Sequence, residues 1–395
     1  MGSDGVVSML LTKCASCAAE LGLTSGKKCG RCATRYCGPA CQKKHWEEGG
    51  HDQLCKKIKR GGGAEQYNAN MKCAEAVAVA VAKCADDTAG QTCYICTEAV
   101  HRRTGEGLVR GCGCGDRDGV DSGTTGIAHV SCMADQAKIL VAEAVENNLG
   151  DKVINERWIR WQTCDLCEQD HHGVVRSALG WACWKTYLGR PEQDQGRGMA
   201  MGLLAGGLYA TDQYESALSV QETELSLTRR NGVTIGVSEG SILAMQGNLA
   251  NTYLALGRKQ DALHMLRDVY SGYMRVVGEE DSDTLRGANN YADTLMSVKR
   301  FEEAKALLRK TLPVAQRALG EGNGLTLKMR TLYASALYQD PTATLGDLSE
   351  AFTRLEETER TARRVLGDAH PYVQAVNGEL ERSRAALCNP PRSAF

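Results

Sequence analysis

The sequence predicts a mainly α protein in which small cysteine-rich modules precede a helical solenoid. Three observations predict it. Of the 18 cysteines, seven fall within residues 14–55 and seven within 93–167. Beyond residue 240 a motif returns at an interval of 42 residues. Aromatic residues are only 5% of the chain, with three Phe, so a large aromatic core is not expected and something besides apolar packing must hold part of the chain together.

The 395 residues suit two or three domains. A net charge of −1 gives no global attraction to nucleic acid or to a membrane surface. The opening MGSDGVVSMLLTK has no secretory apolar region of adequate length. Val6 stands where a myristoylation pattern needs Ser or Thr. No run approaches the roughly 18 apolar residues that a membrane span requires. A soluble protein of the cytoplasm or nucleus is therefore expected. In such a reducing compartment, clustered CxxC pairs with interspersed His read as metal ligands and not as disulfides.

The first cluster runs Cys14-x2-Cys17, x11, Cys29-x2-Cys32, x4, Cys37-x3-Cys41, x9, His51-x3-Cys55. Zinc takes four N or S ligands in a tetrahedron. A CxxC turn brings two of them together with almost no loop to close. The two x3 pairs have i, i+4 spacing, which puts both members on one face of a helical turn. Eight ligands make two sites.

This segment resembles the MYND-type zinc finger, on YC at 36–37, CQ at 41–42, HW at 45–46 and HDQLCK at 51–56. The resemblance implies interleaved sites. Cys14, Cys17, Cys37 and Cys41 would bind one Zn²⁺, and Cys29, Cys32, His51 and Cys55 another. Trp46 lies five residues before His51, where the family usually has three, so Glu-Glu-Gly-Gly holds an insertion. The His51-x3-Cys55 register favours His51 over His45 as ligand. Residues 1–60 carry 11 Lys and Arg against 5 Asp and Glu, which reads as a solvated basic face. The family resemblance implies binding of short proline-containing peptides.

A flexible GGGAE at 61–65 and an Ala-rich helix over 66–87 are expected next, within a connecting stretch of 61–92. Cys73 and Cys84 on that helix read as core or surface thiols. The second cluster is Cys93-x2-Cys96, x15, Cys112-x-Cys114, x14, His129-x2-Cys132, x31, Cys164-x2-Cys167. This C4HC3 order is shared by PHD fingers and RING-CH domains. The C-x-C centre, the helical MADQAKILVAEAVENNL in the long gap and the WIRWQTCDLC ending resemble RING-CH. The resemblance implies Cys93, Cys96, His129 and Cys132 on one zinc and Cys112, Cys114, Cys164 and Cys167 on the other, hence four Zn²⁺ in all. It also implies a ubiquitin-conjugating enzyme as partner, contacted through Ile95 and either Trp158 or Trp161. Those three residues can equally be the small core of the module. Glu168 stands where many active RINGs have a basic residue. His101, His171, His172, His264 and His370 lack a cysteine at ligand spacing, and His171-His172 reads as a surface feature.

A connecting helix over 173–195 is expected to bury Trp181, Trp184 and Tyr187 against the first repeat. From 196 to 388 helix formers dominate. NLANTYLALGRKQDAL (248–263) aligns with NYADTLMSVKRFEEAK (290–305), and VVGEEDSDTL (276–285) with ALGEGNGLTL (318–327). A weaker copy is GLYATDQYESAL (207–218), and a later one, from 332, carries about five extra residues after Gln339. One helix pair cannot bury its own apolar face, so neighbours stack into a solenoid with a groove. The pattern resembles tetratricopeptide repeats in the 42-residue form of the kinesin light chain. Four to five helix pairs and a capping helix near 388 are expected. Ala250, Ala262, Ala292 and Ala304 mark close helix approaches. Asn248, Asn251, Asn289 and Asn290 are the peptide-contact candidates of the groove.

No GxGxxG, GxxxxGK[ST] or HExxH occurs in this half, and no catalytic residue is assigned. The expected function is protein interaction through zinc modules and repeats. It takes the form either of a RING-CH-type ubiquitin ligase, which orients a conjugate without a nucleophile of its own, or of a non-enzymatic or transcription-related adaptor. A MYND-containing lysine methyltransferase is set aside because no NHS-type motif is present.

Overall fold

The computed structural model describes residues 13–19, 21, 26–114, 126–235, 237–368 and 370–389. The chain divides into two compact units, built mainly on Met1–Gly111 with Ile127–Ile235 and on Gly236–Phe395.

The first unit opens with a two-residue hairpin, β1 (Lys27–Lys28) against β2 (Arg35–Tyr36), followed by α1 (Pro39–Glu47) and α2 (His51–Arg60). The GGG at 61–63, expected to be flexible, is instead an ordered turn. Gly63 N–H donates to Ile58 O and Ala64 N–H to Cys32 O at 2.9 Å, which ties the start of α3 (Ala64–Lys83) to the first cysteine cluster. A second small hairpin, β3 (Val109–Arg110) with β4 (Ile127–Ala128), precedes α4 (Val130–Glu146), α5 (Gly150–Trp158) and a 3-10 turn at Ile159–Trp161.

The core of this unit gathers around α6 (Gly173–Tyr187), whose Trp181, Trp184 and Tyr187 are all buried. Tyr187 meets Trp158 and Trp161 at ring-centroid distances of 4.9 and 5.9 Å. Against the other side of α6 packs α7 (Gln195–Tyr209), and α8 (Tyr214–Ile235) packs on α7. The α6–α7 contact is close because both sides contribute glycine. A Cβ at Gly180 would lie 2.8 Å from Leu203 O, and one at Gly207 2.8 Å from the Ser177 Cα. Cys73, Cys84 and Cys183 are buried in this core as small apolar groups.

The second unit is a run of antiparallel helix pairs: α9 (Glu239–Ala255) with α10 (Lys259–Val276), α11 (Ser282–Ser297) with α12 (Phe301–Leu319), and α13 (Gly324–Tyr338) with α14 (Leu345–Leu366). It is closed by α15 (Pro371–Cys388). The 42-residue repeat is written in the backbone as well as in the sequence. Gly278, Gly320 and Gly367 follow α10, α12 and α14 with φ of +89°, +92° and +87°, a region that favours a residue without a Cβ. Asp281, Asn323 and His370 then cap α11, α13 and α15, each side chain accepting an N–H two residues on. Thr252 and Thr294 return their hydroxyls to Asn248 O and Asn290 O. Ala250, Ala262, Ala292 and Ala304 are fully buried, as close helix contacts require. Among the described residues no helix is long and apolar enough to cross a membrane.

One buried ion pair joins α12 to the α13–α14 turn. Lys305 Nζ lies 2.7 Å from Asp340 Oδ2, and their side chains are only 6% and 5% exposed. Burial raises the Asp340 carboxyl, but Lys305 and the Thr342 N–H and hydroxyl outweigh it and hold the group below its ordinary value. A carboxyl depressed by folding contributes stability that is complete above its unfolded value and is lost as pH falls through its folded value. Lys305→Met is expected to cost about 3 kcal/mol by leaving the carboxylate buried and unpaired. Denaturant titrations from neutral pH into the carboxylate range should show a shallower acid slope for this variant than for the native chain.

Candidate metal centres

Four of the cysteine pairs sit on the same turn. Cys14, Cys29, Cys93 and Cys164 each donate their N–H to the carbonyl five residues on, at 2.8–3.0 Å. Each also accepts, at 2.8–2.9 Å, from the N–H four residues on. The closing residues Ala18, Ala33, Thr97 and Glu168 take φ of +57°, +63°, +64° and +59°. Such a turn points the intervening N–H groups at the first sulfur. His101 builds a fifth copy, donating to Glu106 O and accepting from Gly105 N–H, with His101 and Thr104 where the cysteines would stand. Their side chains bond to each other at 2.8 Å.

These turns and the helices gather four sets of ligand atoms, each set lying within 4.8 Å. They are Cys14, Cys17, Cys37 and Cys41; Cys29, Cys32, His51 and Cys55; Cys93, Cys96, His129 and Cys132; and Cys112, Cys114, Cys164 and Cys167. All of these thiols are free of disulfides. Zn–S and Zn–N bonds of about 2.3 and 2.0 Å at tetrahedral angles require S···S edges of about 3.8 Å and N···S edges of about 3.6 Å. The observed edges are 3.6 Å for Cys17–Cys37, 3.4 Å for Cys37–Cys41 and 3.8 Å for Cys29–Cys55. His51 Nε2 is 3.4 Å from Cys32, and His129 Nδ1 is 3.3 Å from Cys96 and 3.6 Å from Cys132. The residues fit zinc.

The electrostatics point the same way. Burial opposes ionisation of Cys14, but the N–H groups of Cys37, Ser16 and Cys17 outweigh it and bring the thiol down to about 6. Burial likewise opposes ionisation of Cys93, and the N–H groups of Cys96, His129 and Ile95 overcome it. The next thiols in each set suffer for this. Cys55 is pushed up to about 12, first by burial and then by Cys32 and Cys29. Cys37 rises to about 12 through its contacts with Cys41, Cys17 and Cys14. The three sets built on Cys14, Cys29 and Cys93 thus each favour one thiolate and lack positive charge for the others, which a divalent cation would supply. His51 and His129 are held neutral by burial, as ligation requires.

Residues 14–55 match the MYND finger family. This segment is a MYND finger. Residues 242–283 and 284–323 match the tetratricopeptide repeat, so α9–α12 are repeats of that kind. The family matches do not extend to residues 93–167. A comparison with curated proteins returns no match. Similar solved structures include a kinesin-light-chain-type protein of Podosopora anserina built of nearly identical TPR-like repeats. It is 18% identical over 60% of this chain and 97% of that one, with a TM-score of 0.37. BtubC (BKLC) from P. vanneervenii is 16% identical over 67% and 96%, with a TM-score of 0.32.

Within the MYND finger His51 is the residue that reaches the sulfurs. His45 stacks on it at 5.1 Å and is held by the Tyr36 hydroxyl at 3.0 Å. That supporting role was not visible in the spacing. Ile95 is half-buried in its turn. Of the two roles left open for Trp158 and Trp161, the structure shows the core one: they are 5% and 2% exposed, with Tyr187 packed against both rings. His171 is also no surface feature. It is buried, its N–H donates to Gln162 O, and Gly111 lies against its ring. Glu106, unnoticed in the sequence, accepts from Ser131 N–H and hydroxyl and so fixes the start of α4 beside His129. Among the groove candidates Asn248 is exposed, while Asn251, Asn289 and Asn290 are half-buried on α9 and α11. Asn289 donates to Asn290 Oδ1 at 3.4 Å.

Stripping metal with a chelator is expected to melt the first unit selectively. Tryptophan emission should shift red as Trp158 and Trp161 lose their cover, while about half of the far-ultraviolet helix signal, that of α9–α15, persists.

Proposed function

We propose that this chain is a zinc-organised protein-interaction scaffold that holds four Zn²⁺, one in each ligand set. The observation that carries this reading is the coexistence of four sets of ligand atoms, each within 4.8 Å, with tetratricopeptide repeats, which are protein-binding elements. In this reading the MYND finger takes short proline-containing peptides and the repeats take a second segment along Asn248, Asn251, Asn289 and Asn290. Reduced thiols at every ligand position suit the cytoplasm or the nucleus.

A RING-CH-type ubiquitin ligase is the second reading. It is supported by the C-x-C spacing of Cys112 and Cys114, by α4 within the long ligand gap, and by the half-exposed Ile95 in the first turn. The burial of Trp158 and Trp161 removes the aromatic contacts that this reading relied on, and for that reason the scaffold stands first.

Native mass spectrometry of the full chain should show four zincs, and three for His51→Ala; fewer than three in the native chain would overturn the ligand scheme. An autoubiquitination assay across a panel of conjugating enzymes separates the two readings. The scaffold predicts no chains with any enzyme, whereas chains lost on Ile95→Ala would establish the ligase.

A further inference from the structure

In the first unit, α3, the Arg103–Gly107 turn, the start of α4 and the end of α6 enclose a groove of ≈ 800 Å³. Its long wall is α3, from Cys73 to Ala82, about 13 Å at 1.5 Å per residue. Val77 and Val81 form an apolar floor, while Ala74, Ala78 and Ala82 stand exposed at i, i+4 spacing. Side chains this small leave a ridge that another helix can approach closely.

The polar residues of the groove are unequally matched. Glu106 is engaged by Ser131, and Arg103 pairs with Asp135 at 2.9 Å. Lys138 and Lys185 also line it, and neither has a carboxylate at ion-pair distance among the described residues. The bonds from Ser131 leave the Glu106 charge in place, so Arg103, Lys138 and Lys185 outnumber the carboxylates Glu106 and Asp135 by one, and the balance is positive. The length of the groove and its apolar floor suit a chain segment better than a compact ligand, and its lysines call for carboxylates.

We propose that this groove docks an acidic amphipathic helix of a partner protein, its apolar face on Val77 and Val81 and its carboxylates toward Lys138 and Lys185. This surface uses neither the repeats nor any metal ligand.

The test is a displayed library of random 14-residue peptides, selected on the full-length zinc-loaded protein and counter-selected on Ala78→Trp, an exposed position whose indole would fill the groove. The expected winners carry apolar residues at i, i+3 or i+4, and i+7 with net negative charge. They should bind the native chain at least tenfold more tightly than either Ala78→Trp or the Lys138→Glu, Lys185→Glu double variant. Circular dichroism and zinc content should be equal in all three proteins. Enrichment of no groove-dependent peptide, or of peptides without acidic residues, would overturn the proposal. So would a dimer of the native chain that Ala78→Trp dissolves, since the occupant would then be a second copy.

Discussion

Sulfurs held 3.4–3.8 Å apart would repel one another if all were ionised, and the ligand sets of the first unit are built around that constraint. Backbone N–H groups at the shared turn favour one thiolate each at Cys14, Cys29 and Cys93, and the rest is left for a cation to do. The geometry that follows reaches well past the ligands. His51 and Cys55 set the position of α2 in the MYND finger, and His129 and Cys132 set the start of α4. A metal bound at these sets would supply folding free energy directly.

The tetratricopeptide unit rests on different physics. Its helices are capped by local side chains, turned by glycines at positive φ, and packed through alanines at recurring positions. The buried Lys305–Asp340 pair adds to this local plan, joining α12 to the α13–α14 turn. Its position coincides with the place where the repeat interval stretches, since Asp340 begins the extra residues after Gln339.

What the sequence revealed follows from the range of each interaction. Ligand spacing and the 42-residue repeat are local patterns and could be read directly, whereas which ligands share a set came only from the family resemblances. The fate of Trp158 and Trp161 was not legible, because it depends on Tyr187 arriving from a later helix. The burial of His171 likewise depends on Gly111, sixty residues earlier in the chain. The GGG turn looked flexible only because its anchor, Cys32 O, lies thirty residues back. The fifth turn at His101 could have been suspected from a His and a Thr at the spacing of a CxxC-type turn, but nothing in its residue types marks it as a ligand site.

The shared turn also carries a consequence for synthesis on the ribosome. Each pair of cysteines is poised within a few residues of its emergence, and the MYND finger has its full complement by Cys55. The second cluster cannot be completed until Cys167 is made, and its covering helix comes later still. Between those moments several thiolates are exposed and primed for oxidation or for the wrong metal. Contacts in the tetratricopeptide unit join sequence neighbours and close quickly. The vulnerable interval in the making of this protein therefore falls between Cys55 and the end of α6.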